Sequence, residues 1–242
     1  MTFSFVFPSM SDANSVIRAC FQVPDVSDEA YFFADTRYVR IKVKPGTTDD
    51  QIVNGPSITI DLWPTLRKAR FATVDAVLPS PNGKGETYFF CGTQYALISV
   101  VPTSHGAIIT GPKNIVDYWP SLRKAGFNTV DSVLPSPKGD GEAYFFSGTQ
   151  YVLIKVMPGT TDDYIITGPN SIADYWPSLR QAGFNTIDSV LPSPKGNGEA
   201  YFFSGTQYAL IKVIPGTMDD HIITGPKSVA EYWPSLLQAG FY

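Results

Sequence analysis

Three aspartate pairs, Asp49-Asp50, Asp162-Asp163 and Asp219-Asp220, stand in the same context, Pro-Gly-Thr-x-Asp-Asp. Paired carboxylates at this spacing could attract a metal or a polyamine. Asp is also common in turns, where its side chain bonds the nearby backbone, and the turn-like setting favours that structural use. The only histidines are His105, in PTSHGAIITGP, and His221, which follows Asp219-Asp220. Both read as surface loop residues, with a haem axial ligand as the alternative. Cys20 and Cys91 occupy different places in the pattern of the chain, which argues against a mutual disulfide and against an activated thiol. No nucleophile and base recur together, and no metal-spaced histidine cluster or phosphate loop is present, so the reading is non-enzymatic.

The 242 residues are 43% hydrophobic and 17% charged, a globular composition rather than a disordered one. A net charge of −4 supplies no basic stripe for a phosphate backbone, so nucleic acid is not expected as a partner. No apolar run reaches the length of a membrane span. The N-terminal stretch MTFSFVFPSMSDANSVIRACF lacks a basic region followed by an uninterrupted apolar one, so no signal peptide is expected. With two cysteines there is no disulfide framework, and the expected compartment is reducing and cytoplasmic.

The elements that must position any site repeat four times. Tyr-Phe-Phe begins at Tyr31, Tyr88, Tyr144 and Tyr201, spaced 57, 56 and 57; Trp63, Trp119, Trp176 and Trp233 and four Gly-Pro pairs keep step. Residues 1–13 echo the end of a repeat, Phe7-Pro8-Ser9-Met10 matching Trp176-Pro177-Ser178-Leu179. Residues 14–242 divide into repeats at about 14–70, 71–126, 127–183 and 184–242. In the third, FNTVDSVLPSP reads as a strand and EAYFF with YVLIKV as a hairpin across SGTQ. Pairing Phe146 with Tyr151 sets Glu142 opposite Lys155, Glu199 opposite Lys212 and Glu29 opposite Lys42, with Glu86 facing Ser99 in the second unit. YIITGP then leads to a helical signal in which Asn170 or Ser171 caps a first turn, Pro177 opens a second and Gly183 ends it. Strands apolar on both faces need cover on both sides, which radial stacking supplies. The fold expected is an all-β, four-bladed propeller. Ala239-Gly240-Phe241 repeats Ala182-Gly183-Phe184, so the chain ends on the opening of a unit, an offset that suits ring closure or simple duplication.

The order Asp-(Ala/Ser)-hydrophobic, Tyr-Phe-Phe-x-Gly-x-x-Tyr, Gly-Pro, Tyr-Trp-Pro-Ser-Leu resembles the hemopexin-like four-bladed propellers over about residues 14–242, and among them the plant albumin-2 seed proteins. The resemblance implies a narrow channel on the pseudo-fourfold axis, with Ca2+ or Na+ held by main-chain carbonyls of the innermost strands. Carried over by position, these are Asp75, Asp131 and Asp188, from VDAV, VDSV and IDSV, and Arg18, from IRAC. Arg18 departs from the pattern. Its charge near the axis disfavours a cation, or else the side chain turns outward to pair with an aspartate.

By the same resemblance the expected function is a ligand-binding seed albumin taking spermine or haem at the channel mouth, with a storage role and a homodimer as a further expectation. Spaced carboxylates suit a polyamine. The alternative is a lectin or protein-interaction module using loops on a propeller face, for which the near identity of units three and four is the motive. Recent duplication accounts for that identity equally well.

Overall fold

In a computed structural model, residues 15–101 and 106–242 are described; the segment echoing a repeat end and His105 lie outside them. Each unit forms one antiparallel four-stranded sheet followed by two short helices. Blade one holds β1 (Ala19–Gln22), β2 (Glu29–Ala34), β3 (Arg37–Lys42), β4 (Gln51–Ile58), α1 (Thr59–Leu62) and α2 (Pro64–Ala69). Blade two holds β5 (Ala76–Pro79), β6 (Glu86–Cys91), β7 (Gln94–Ser99), β8 (Ala107–Asn114), α3 (Ile115–Tyr118) and α4 (Pro120–Ala125). Blade three holds β9 (Ser132–Pro135), β10 (Glu142–Ser147), β11 (Gln150–Lys155), β12 (Tyr164–Ser171), α5 (Ile172–Tyr175) and α6 (Pro177–Ala182). Blade four holds β13 (Ser189–Pro192), β14 (Glu199–Ser204), β15 (Gln207–Lys212), β16 (His221–Ser228), α7 (Val229–Tyr232) and α8 (Pro234–Ala239). Strand order within every sheet is sequential. The first strands meet as a ring, β1 against β5 and β13, and β9 against the same two. This is the four-bladed propeller.

The Tyr-Phe-Phe signature is written for burial on both faces. Side chains alternate across a strand, so Tyr144 and Phe146 enter the core shared with blade four while Phe145 enters the core shared with blade two. Four such cores lie between the blades, and the last joins Phe203 and Trp233 of blade four to Phe32 and Ile41 of blade one. Each tryptophan meets the next blade's phenylalanine edge to face, Trp119 and Phe145 at 5.5 Å, Trp176 and Phe202 at 5.7 Å. The ring is also closed by polar bonds: Ser15 N donates to Gly240 O at 3.3 Å, and the Arg37 guanidinium donates to Ala239 O at 3.2 Å while lying over the Phe241 ring.

The hairpin register is as read from the sequence, Phe146 opposite Tyr151 and Glu142 opposite Lys155. The cross-strand ion pair does not follow from it. Lys155 Nζ and Lys212 Nζ donate to the loop carbonyls of Asp140 and Asn197, and Glu142 and Glu199 pair more loosely with Lys138 and Lys195 at 3.8 and 4.0 Å. A long side chain is free to choose a partner that a Cα register does not name. At the helices, Pro177 opens α6 and Gly183 follows it at φ 76°, but Ser171 makes no side-chain cap bond. In blade one Arg70 takes the place of Gly183 at φ 60°, a left-handed conformation that favours glycine.

Candidate functional site

The four residues singled out by resemblance occupy equivalent positions, each one step before an inner strand. Arg18 N, Asp75 N and Asp131 N donate to Phe33 O, Phe90 O and Phe146 O at 2.9 Å, and Asp188 N to Phe203 O at 3.0 Å. These bonds hold the chain at the inner edge of each sheet, where no further strand follows. Accordingly none of the four carbonyls accepts a backbone hydrogen bond among the described residues outside the strand ladders. Carbonyl oxygens are hard donors of the kind that suits Ca2+ or Na+.

The side chains do something else. Asp75 Oδ2 accepts from Gly92 N, Asp131 Oδ2 from Gly148 N and Asp188 Oδ2 from Gly205 N, each at 2.6 Å. One oxygen of each carboxylate thus braces the tight turn of its own β2-type hairpin. Blade one reverses the arrangement: Arg18 stands at the aspartate position and Asp35, at φ 48°, at the glycine position. Asp35 Oδ2 accepts from Ser15 Oγ at 2.5 Å instead. Arg18 is exposed and, among the described residues, forms no ion pair within 4 Å.

The ring is small enough for its members to sense one another. Burial raises the Asp188 carboxyl above its ordinary value; the Gly205 N–H and then the Arg18 charge pull it down, and the Asp131 charge pushes it up. Among the described residues no group of three His, Cys, Asp or Glu side chains could hold a metal, so any ion here would rest on carbonyls.

The remaining candidates lie elsewhere. His221 begins the outermost strand of blade four, exposed, with Nδ1 3.2 Å from Asp219 O, and it does not face the ring. Cys20 and Cys91 are both free. Burial pushes the Cys20 thiol up to about 12, with Ser189 Oγ 2.9 Å from its sulfur, which makes it unreactive packing.

The aspartate pairs are split in role. The first member is exposed in each case. The second reaches across to the preceding blade: Asp163 Oδ2 accepts from Ser121 N at 3.0 Å, Asp220 Oδ2 from Ser178 N at 3.1 Å, and Asp50 Oδ2 from Ser235 N at 2.8 Å. Asp163 and Asp220 also accept from the same serines' hydroxyls. Each caps a helix whose first residue is proline, so the serine N–H is the first donor left unpaired. In blade two Gly106 stands at this position. Sequence reading placed these acids in turns and missed that they are interblade caps, because the partner lies 42 residues back, or 185 ahead across the ring closure.

No protein-family model matches the chain. The chain is 33% identical to albumin-2 of Pisum sativum over 213 residues, 87% of this chain and 90% of the relative. A solved hemopexin fold protein from cow pea superposes with a TM-score of 0.83 at 29% identity, covering 93% of this chain and 98% of that one. Two solved proteins of Cicer arietinum each cover 92% of this chain and 97% of their own. One, described as a plant lectin with two metal binding sites, matches at 34% identity and a TM-score of 0.82. The other, described as a plant albumin showing hemagglutination, matches at 32% and 0.83. None of these descriptions names an enzyme, and two name an albumin. These matches correct the cytoplasmic expectation: seed albumins are storage proteins, of the kind secreted or laid down in protein bodies. A ring closed by packing needs no disulfide in any compartment, so the count of two cysteines carries no information about where the chain resides.

Proposed function

Because this chain belongs to the albumin-2 family of seed proteins, we propose that it is a non-enzymatic storage albumin that binds a polyamine such as spermine at the acidic mouth of its axial ring. The observation that carries this is the placement of Asp75, Asp131 and Asp188 at equivalent inner positions of three blades, close enough for charge on Arg18 and Asp131 to reach Asp188. The second carboxylate oxygen of each aspartate remains for an ammonium group while the first braces its turn. Ca2+ or Na+ would be held by the carbonyls of Arg18, Asp75, Asp131 and Asp188 and would compete with the polyamine for the same charge. Haem is the weaker ligand reading, since His221, the one histidine among the described residues, lies on an outermost strand.

Calorimetric titration with spermine tests the reading. Arg18→Ala removes the one opposing charge and should tighten binding, and Asp131→Asn should weaken it, each by several-fold at low salt and less at high salt. Absence of saturable heat at micromolar protein, or indifference to both substitutions, would refute it.

A second reading takes the chain as a carbohydrate-binding protein. Its support is the similarity to the two Cicer arietinum proteins, described as a lectin and as hemagglutinating.

A further inference from the structure

The structure contains one cleft at each junction between blades, on the periphery and separate from the axial ring. At the junction of blades three and four the floor is Tyr144, Tyr151 and Trp176, packed edge to face with ring centroids 5.2 to 6.1 Å apart. Tyr175, 47% exposed, forms the outer rim. Thr167 lines the near wall and Thr217 with Asp220 the far one. The cleft measures about 370 Å³. The same types line the junction of blades two and three, where Tyr118 is the rim and Asp163 the acid, about 360 Å³, and that of blades four and one, where Tyr232 is the rim and Asp50 the acid, about 330 Å³.

The fourth junction shows what the others lack. Between blades one and two Leu62 replaces the rim tyrosine, Gly106 replaces the acid, and Arg40 stands where Leu97, Leu153 and Leu210 stand elsewhere. The Arg40 guanidinium lies over the Tyr31 ring at 5.7 Å, bonded to Glu29 at 2.5 Å, and the cleft falls to about 200 Å³. Tyr38 Oη there donates to Asn54 at 2.9 Å, whereas Tyr95 and Tyr208 have no such bond among the described residues.

We propose that the three open clefts are carbohydrate subsites, each taking one sugar ring, so that a single chain is trivalent. This rests on the carbohydrate-binding reading and gives it a place other than the face loops. The charge of the clefts selects the ligand. Each cleft carries an ammonium group as well as its acid: Lys113 lies over the Tyr118 ring at 4.1 Å, Lys227 over the Tyr232 ring at 4.0 Å, and Lys138 lines the cleft of blades three and four beside Glu142. The floor aromatics are almost wholly buried, so the surface a ligand meets is the rim tyrosine ring with hydroxyl, carboxylate and ammonium groups around it. A pyranose ring matches that surface, having an apolar C–H face and an equatorial belt of hydroxyls that both donate and accept. The volumes sit at the lower end of small-ligand pockets, about 300 to 1,000 Å³, enough for one or two rings. Three sites around one ring also allow a monomer to bridge two glycosylated surfaces.

Blade one supplies the variants, since its residues already fold in this architecture. Leu153→Arg with Tyr175→Leu copies the closed cleft into the junction of blades three and four, where Glu142 Oε2 is buried without a hydrogen-bond partner and can receive the guanidinium. Tyr118→Leu, Tyr175→Leu and Tyr232→Leu together remove all three rims and leave the buried floor residues in place, with Tyr232 alone packed against a core. The full chain is titrated with methyl glycosides of galactose, mannose and N-acetylglucosamine, by calorimetry and saturation-transfer NMR, and assayed for red-cell agglutination. A stoichiometry of about three is expected, falling to about two in the first variant, with affinity down about tenfold or more and agglutination lost in the second. Undiminished sugar binding by the triple-rim variant would overturn the assignment to the clefts while leaving a lectin. Failure of the unmodified chain to bind any sugar would overturn the carbohydrate reading and this inference together.

Discussion

Removal of the Asp220 carboxylate should cost this propeller more stability than its short contact list suggests. Asp220 is 9% exposed, and its Oδ2 accepts both the N–H and the hydroxyl of Ser178 at the start of α6, in the neighbouring blade. Asp220→Ala deletes a helix cap, worth about 1 kcal/mol, and leaves one or two Ser178 donors unpaired in a buried place, about 1–3 kcal/mol. Together these give an expected loss of about 2–4 kcal/mol. For a chain of this size each kcal/mol moves the melting temperature by about 2–4 °C, and the shift should be about 5–15 °C by calorimetry. Asp220→Asn keeps an acceptor and should lose less than half as much. Asp219→Ala is the control: the neighbouring residue is exposed, and its bonds are made by the backbone, N–H to Thr217 Oγ1 at 3.0 Å and the carbonyl with His221 Nδ1 at 3.2 Å. It should change stability by less than about 0.5 kcal/mol. Equal effects at Asp219 and Asp220 would refute the interblade cap. Blade two shows why the device is absent there: Gly106 has φ 53°, and a Cβ on it would collide with the carbonyl of Ser99, so Gly106→Asp should destabilise rather than add a fourth cap.

Gly168→Ala should destabilise by roughly 1–3 kcal/mol, because at φ 99° its Cβ would lie 2.8 Å from Tyr151 O and 3.1 Å from Val152 Cα, both backbone of the adjacent strand; denaturant midpoints measure this, and a neutral result would contradict the close approach of β12 to β11. Asp163 and Asp188 sit above the ordinary carboxylate value of 3.8, with burial the largest cause in each. The unfolded chain therefore releases these protons first as pH rises, and stability falls from the ordinary value up through each raised one. Asp188→Asn removes that fall at one site, so the denaturant midpoint of the variant minus that of the parent should grow more positive as pH rises above the ordinary carboxylate value of 3.8; a constant difference would mean that Asp188 is not raised.

The fold was legible because a propeller blade is a local object. Tyr-Phe-Phe alternates across one strand, Pro177 and Gly183 bound one helix, and the 56- to 57-residue period places each blade beside the next without any long-range pairing to guess. The axial residues were legible only through family resemblance, and the use of their carboxylates was not. Asp131 bonds Gly148, 17 residues on, because the hairpin folds its turn back over the inner strand, which no spacing rule states. The exchange of Arg18 and Asp35 for an aspartate and a glycine was visible letter by letter, yet only the contact between the two positions in the other blades shows it to be one coupled change. Glu142 and Lys155 are opposed as read and still do not pair, since the loop carbonyl of Asp140 is nearer to the ammonium.

By itself the sequence determined the unit: four strands, two helical turns, apolar residues on both faces, repeated until the blades cover one another. Burial on two faces can be written in a period of two, and each strand is short enough to carry the whole instruction. Tertiary structure decided everything that lies between units. The caps from Asp50, Asp163 and Asp220, the charge shared around the axial ring and the clefts at the junctions each take residues from two blades. Their geometry depends on how one sheet is rotated against the next, a quantity set by packing at the interface and spelled out at no single position of the chain.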